Sequence, residues 1–95
     1  MAEYQITSWR DLPSLVVARE GDLMAKVPLP GRFQEAIDEA AMRLGEVSSD
    51  AYLEGWQRGD WTAGEGAPSE LAAAVVERLE AEWSADAIAT FLDGL

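Results

Sequence analysis

Carboxylates are the only catalytic side chains this 95-residue sequence holds in quantity: eighteen Asp and Glu, against seven Lys and Arg, no His and no Cys. Without His or Cys there is no imidazole acid or base, no thiol nucleophile, no disulfide framework and no Cys/His zinc site. Paired acids catalyse when their environments drive their pKa values apart. Glu77, Glu80 and Glu82 crowd one predicted helix, and Asp38 and Glu39 another. Helical spacing places most of these opposite an apolar stripe, which is the arrangement of a solvated face. Asp60-Trp61-Thr62-Ala63-Gly64-Glu65 supplies only the first oxygen ligand of a calcium loop, and no Lys stands near Gly64 and Gly66 to complete a phosphate cradle. Arg58-Gly59-Asp60 spells an integrin-binding tripeptide, but its Gly falls where a helix is expected to end. These residues assign no catalytic group, no metal site and no cofactor.

The four tryptophans are a more informative set. A buried Trp gives a small domain a large apolar area, whereas an exposed Trp beside Arg is typical of an interface. Trp83 continues a core stripe. Trp9 falls on the less apolar face of a predicted strand beside Arg10 and Asp11, and Trp61 falls in a glycine-containing loop. Trp9, Arg10, Asp11 and Trp61 are therefore the candidate partner-binding residues. Arg10 would make a bidentate or stacked contact that Lys could not replace. Core placement is the competing reading for Trp61.

Charge narrows the partners. The net charge is −11, and all of it lies after Arg32: four basic and four acidic residues precede Phe33, and three basic and fourteen acidic residues follow. Nucleic acid is excluded as a partner, because phosphate neutralisation needs cations, and anionic membrane surfaces are disfavoured likewise. Excess acid favours solubility. It would also steer a basic protein surface toward the helical part. No stretch is long and apolar enough for a membrane span, and Met1-Ala2-Glu3-Tyr4-Gln5 does not open a signal peptide, so the expected compartment is the cytoplasm.

The elements that must position these residues read as strands first and helices after. Residues 1–30 predict a three-stranded antiparallel meander: Tyr4–Trp9 alternates, Arg10–Ser14 breaks, Leu15–Arg19 is β-branched, Glu20-Gly21-Asp22 turns, and Leu23–Val27 alternates again before Pro28 and Pro30. Residues 31–95 predict about four helices. Phe33, Ala36, Ile37, Ala40, Ala41 and Leu44 share one face up to a C-terminal Gly45. Ser48 or Ser49 caps a short helix through Arg58 that holds Tyr52 and Trp56 on one face. A glycine-containing loop at 59–67 leads to Pro68, after which Leu71, Val75, Leu79 and Trp83 recur every four residues. Ser84 caps a last helix carrying Ile88, Phe91, Leu92 and Leu95. The fold class is α+β, a single domain over 1–95 with its helices packed on a small N-terminal sheet.

Three segments together resemble the small bacterial "virulence factor" domain, found alone and within the longer conserved virulence factor C proteins. They are Tyr4-Gln5-Ile6 with Trp9-Arg10-Asp11-Leu12-Pro13, Leu29-Pro30 with Arg32-Phe33-Gln34-Glu35-Ala36-Ile37-Asp38, and Asp50-Ala51-Tyr52-Leu53 with Trp56. The resemblance runs from Tyr4 to about Trp83. It implies a bacterial accessory protein, and the frequent proximity of stand-alone members to folate- and corrinoid-dependent methyl-transfer proteins implies a link to one-carbon metabolism.

Three functional classes follow. The leading one is a non-catalytic accessory protein that binds a protein partner, a basic surface or a one-carbon methyl-transfer enzyme being the candidates. The second is a small anionic-ligand-binding or carboxylate-based catalytic domain, with Arg10, Arg19 or Arg32 grasping the ligand. The third is an acidic mimic of a polyanion. A homo-oligomer through the last helix is open but not favoured, since so small a chain has little core to spare.

Overall fold

The computed structural model of the protein describes residues 2–45 and 48–95, and within them five strands and four helices. The strands are β1 (Ala2–Trp9), β2 (Leu12–Glu20), β3 (Leu23–Pro28), β4 (Trp56–Arg58) and β5 (Thr62–Gly64). The helices are α1 (Gly31–Arg43), α2 (Ser49–Glu54), α3 (Pro68–Glu82) and α4 (Ala85–Asp93). The class is α+β as expected, with a larger sheet: five strands rather than three.

The meander forms because its two connections, Arg10-Asp11 and Gly21-Asp22, are too short for anything but antiparallel pairing. Tyr4 and Ile6 pair with Ala18 and Val16, which in turn pair with Ala25 and Val27, so one face of the sheet is continuously apolar. α3 lies across β1, β2 and β3 and buries its stripe of Leu71, Ala72, Val75, Val76 and Leu79 against that face. Val16 and Ala18 are fully buried there. Arg78 of α3 donates to the Tyr4 hydroxyl at 3.5 Å, and this hydrogen bond holds the guanidinium pKa above its ordinary value against the opposing effect of burial.

The short helix expected through Arg58 ends instead at Glu54, and the expected loop contains β5. The cause is the meander itself. It leaves one edge of β1 with unpaired N–H and C=O groups, and an edge of this kind recruits another strand. Trp56–Arg58 pairs with Thr7–Trp9, and Thr62–Gly64 pairs with Ala2–Tyr4, both antiparallel. Pairing of a central strand outweighs the weak helical signal of Tyr52 and Trp56 four residues apart.

Helix boundaries follow local chemistry. Ser48 and Ser84 accept hydrogen bonds from the N–H groups of Ala51 and Ala87, at 3.3 and 3.2 Å, and so cap α2 and α4. Pro68 opens α3, and Gly45 follows α1 with φ at +73°. α1 buries Phe33, Ala36, Ile37, Ala40 and Ala41 and meets α4, whose Ile88 and Leu92 are buried in the same apolar cluster.

Gly55, between α2 and β4, is fixed by a neighbour rather than by its dihedral angles. A Cβ there would lie 2.4 Å from Nε1 of Trp9 and 2.5 Å from its Cε2. Gly31 has open space where its Cβ would go. Gly55→Ala is expected to destabilise the protein by about 1–3 kcal/mol, the cost of overpacking a core. Gly31→Ala should be neutral or stabilising by about 0.5 kcal/mol through unfolded-state entropy. Urea unfolding of both variants checks the pair.

Candidate functional site

Strand alternation sends Glu3, Gln5, Thr7 and Trp9 of β1 to the face turned away from α3. Trp9 lies on the less apolar face, as the sequence suggests, but its side chain is wholly inaccessible, with an exposure of 0%. α2 closes over it: the Tyr52 ring stacks at 5.8 Å, and the indole N–H donates to the Tyr52 carbonyl at 2.7 Å. Trp56 meets Tyr52 edge-on at 6.0 Å and extends this aromatic cover. The expectation that Trp9 contacts a partner is therefore corrected. Burying its large apolar area with its one polar group satisfied favours the core over the surface.

Arg10 and Asp11 are exposed in the β1–β2 connection. Arg10 has φ at +53°, the one left-handed conformation among the described non-glycine residues, and its N–H donates to the Gly55 carbonyl at 2.7 Å. Its guanidinium lies 5.5 Å from the Trp9 ring centroid. Arg10 and Asp11 line a cavity of about 290 Å³ that also touches Pro13, Arg58, Leu79 and Trp83.

Trp61 is half-buried and stands apart from that cavity. Between the Thr7–Arg58 and Tyr4–Thr62 pairs, β1 contributes Gln5 and Ile6 while the opposing chain contributes Gly59, Asp60 and Trp61. This is a β-bulge, with one residue more on the outer side. Gly59 anchors it: its N–H donates to the Ile6 carbonyl at 2.9 Å, and its own carbonyl accepts from the Gln5 side chain at 2.9 Å. Arg19 lies over the Trp61 ring, 3.7 Å from the centroid, and donates through Nε to Glu3 at 2.6 Å.

Beside this stack, Trp61 forms the rim of a groove of about 280 Å³ over the face turned away from α3. Leu15, Val17, Gln5 and Thr7 line it from β1 and β2, and Met24, Lys26 and Arg58 from β3 and β4; no helix residue does. Past the end closed by α2, no helix among the described residues lines this side of the sheet. Alternation and pairing place Arg19, Lys26 and Arg58 here, with Glu3 the single acid among the strand residues of that face. The face thus carries a local excess of two positive charges in a chain of net charge −11. Among the described residues, Lys26 and Arg58 have no ion pair or side-chain hydrogen bond.

The sequence missed Lys26 and Arg58, because only the pairing of β3 and β4 with the centre of the sheet brings them together. The three arginines considered for an anionic ligand do not share a site. Arg10 is at the β1–β2 connection, Arg19 is stacked on Trp61, and Arg32 donates to the Glu80 carbonyl at 3.3 Å. Among the described residues no charged side chain is buried, and no three acids cluster to hold a metal ion. Among the described residues no helix is long and apolar enough to cross a membrane.

An antiparallel sheet with α3 across one face and a charged, Trp-rimmed groove on the other defines a small α+β domain. The chain belongs to the Virulence factor family, whose model matches residues 7–92. No curated protein and no solved structure matches it.

The two tryptophans should separate in stability. Trp9→Ala is expected to cost about 3–5 kcal/mol, as for truncation of a core aromatic. Trp61→Ala should cost less, about 1–2 kcal/mol, the scale of a partly desolvated cation–π contact. Chemical denaturation of each variant gives the comparison.

Proposed function

We propose that this Virulence factor family member is a non-catalytic accessory protein that binds a protein partner on the uncovered face of its sheet. The supporting observation is the groove bounded by Trp61, Met24, Lys26 and Arg58, which combines an apolar floor, an aromatic rim and unpaired cations. Aromatic and Arg side chains are the residues that dominate binding energy at interfaces. Trp61 is pre-ordered, because Arg19 holds it by stacking while Glu3 holds Arg19. A fixed aromatic loses little conformational freedom on binding. Of the residues the sequence singles out, Trp61 is in this contact surface, Arg10 and Asp11 flank the neighbouring cavity, and Trp9 supports the sheet from within.

A catalytic role for the carboxylates has less support. Acid–base work at neutral pH needs an acid whose environment favours its proton, and burial is the usual means. Every described acid is at least partly open to solvent.

A photo-crosslinking amino acid in place of the exposed Met24, on this face, and of the exposed Ala73, on α3, tests the proposal in cells of the source organism. The Met24 position is expected to yield a discrete covalent adduct that disappears with Trp61→Ala, and the Ala73 position none. A one-carbon methyl-transfer enzyme in that adduct would add the metabolic link. Adducts from Ala73 alone, or from neither position, would contradict the assignment of the face.

A further inference from the structure

The groove's chemistry also specifies what fills it, given that the uncovered face binds a protein. We infer that the occupant is an extended acidic segment of the partner, with two carboxylate side chains four residues apart and an apolar side chain midway between them.

The spacing comes from the sheet. In the strand order β3-β2-β1-β4, Lys26 and Arg58 are on the outermost strands, three strand intervals apart. At about 4.8 Å per interval the two strands are roughly 14 Å apart. Pairing sets Arg58, opposite Thr7, two residues along from Lys26, which is in the row of Val17 and Gln5, so the two backbones are roughly 16 Å apart. An extended peptide covers that distance in roughly four to five residues at its rise of ~3.3 Å each, and the long side chains of Lys26 and Arg58 reach the nearest same-side positions, i and i+4. Residues i, i+2 and i+4 of such a segment point to the same side. The outer two meet Lys26 and Arg58, and the middle one meets the floor of Leu15 and Val17 beneath Met24 and Trp61.

Charge selects the acidic partner over a basic one at this surface, since Arg58 and Lys26 lack counter-ions among the described residues. Arg58 can engage a carboxylate in a two-pronged geometry. Single-stranded nucleic acid would find the same cations and an aromatic rim, but two free cations are few against a molecular charge of −11. A second copy of this chain is a poor occupant. Its own acid-x-apolar-x-acid segments, Glu35–Glu39 and Asp50–Glu54, are wound into α1 and α2, where helical geometry brings the two acids within about 6 Å of each other and turns the apolar residue to another side.

The test selects a phage-displayed library of random heptapeptides on the full chain, then measures the winning synthetic peptide by fluorescence anisotropy. Enriched sequences are expected to share an acid-x-apolar-x-acid pattern. Affinity should fall about tenfold or more when Lys26→Glu and Arg58→Glu are combined, and should weaken as salt rises from about 50 to 500 mM. Lys26→Ala with Arg58→Ala gives a smaller loss in the same direction and guards against misfolding of the reversed variant.

Enrichment without acids, or affinity indifferent to both double variants, would overturn the inference. So would tighter binding of oligothymidylate than of the selected peptide. Self-association in sedimentation velocity that the double reversal abolishes would assign the groove to a second copy and overturn it too. The face assignment itself is read separately: if the Met24 crosslink forms while the library shows no acidic preference, only the acidic segment is wrong.

Discussion

β1 is the strand on which the rest of the structure depends, because both of its edges are paired. One edge takes β2 along nearly its whole length, and the other is shared by β4 and β5 in succession. That outer chain carries one residue more than β1 between its two pairings, and the extra residue reverses the alternation of side chains. Arg58, opposite Thr7, therefore faces away from α3, while Thr62, opposite Tyr4, is on the helix side. Gly64 follows on that helix side, where a Cβ would lie 2.6 Å from Leu71. Without the bulge, one of the two short strands would have its faces exchanged. The bulge thus serves the core and the surface together, admitting α3 against Gly64 and setting Trp61 out over Arg19.

The end of the sheet near the β1–β2 connection has a second constraint. Trp9 reaches toward the face that α3 does not cover, and a bare indole there would waste its burial. α2 supplies the cover through Tyr52, whose carbonyl accepts the indole N–H, and Gly55 lets the backbone approach the ring. The same segment then turns directly into β4. This short run from Ser48 to Arg58 shields one tryptophan and completes the sheet, and where it stops, the uncovered face begins. Exposure on that face is consequently confined to the region where the unpaired cations and Trp61 lie.

Much of this was legible in the sequence, and the failures have specific causes. The meander, the stripe of α3, the serine caps of α2 and α4, and the α+β class rest on periodicities and end signals that act within a few residues. The strands at Trp56–Arg58 and Thr62–Gly64 are three residues each, too short to establish a period, and they exist only because β1 offers a free edge. Trp9 illustrates a related limit: alternation identified its face, but whether that face is wet depends on α2, which is over forty residues away in sequence. Arg58 was visible only as part of a tripeptide at an expected helix end. Its role beside Lys26 depends on sheet order, which single-sequence patterns do not contain.

Cross-strand NMR contacts are the direct test of whether β4 and β5 pair with the outer edge of β1. Backbone NOEs linking Thr7 with Arg58 and Tyr4 with Thr62 are expected, with slow exchange of the Gly59 amide, which is bonded to the Ile6 carbonyl. Helical sequential NOEs running from Ser49 through Arg58, with no contact between residues 56–64 and β1, would contradict that pairing and remove both the bulge and the surface it builds.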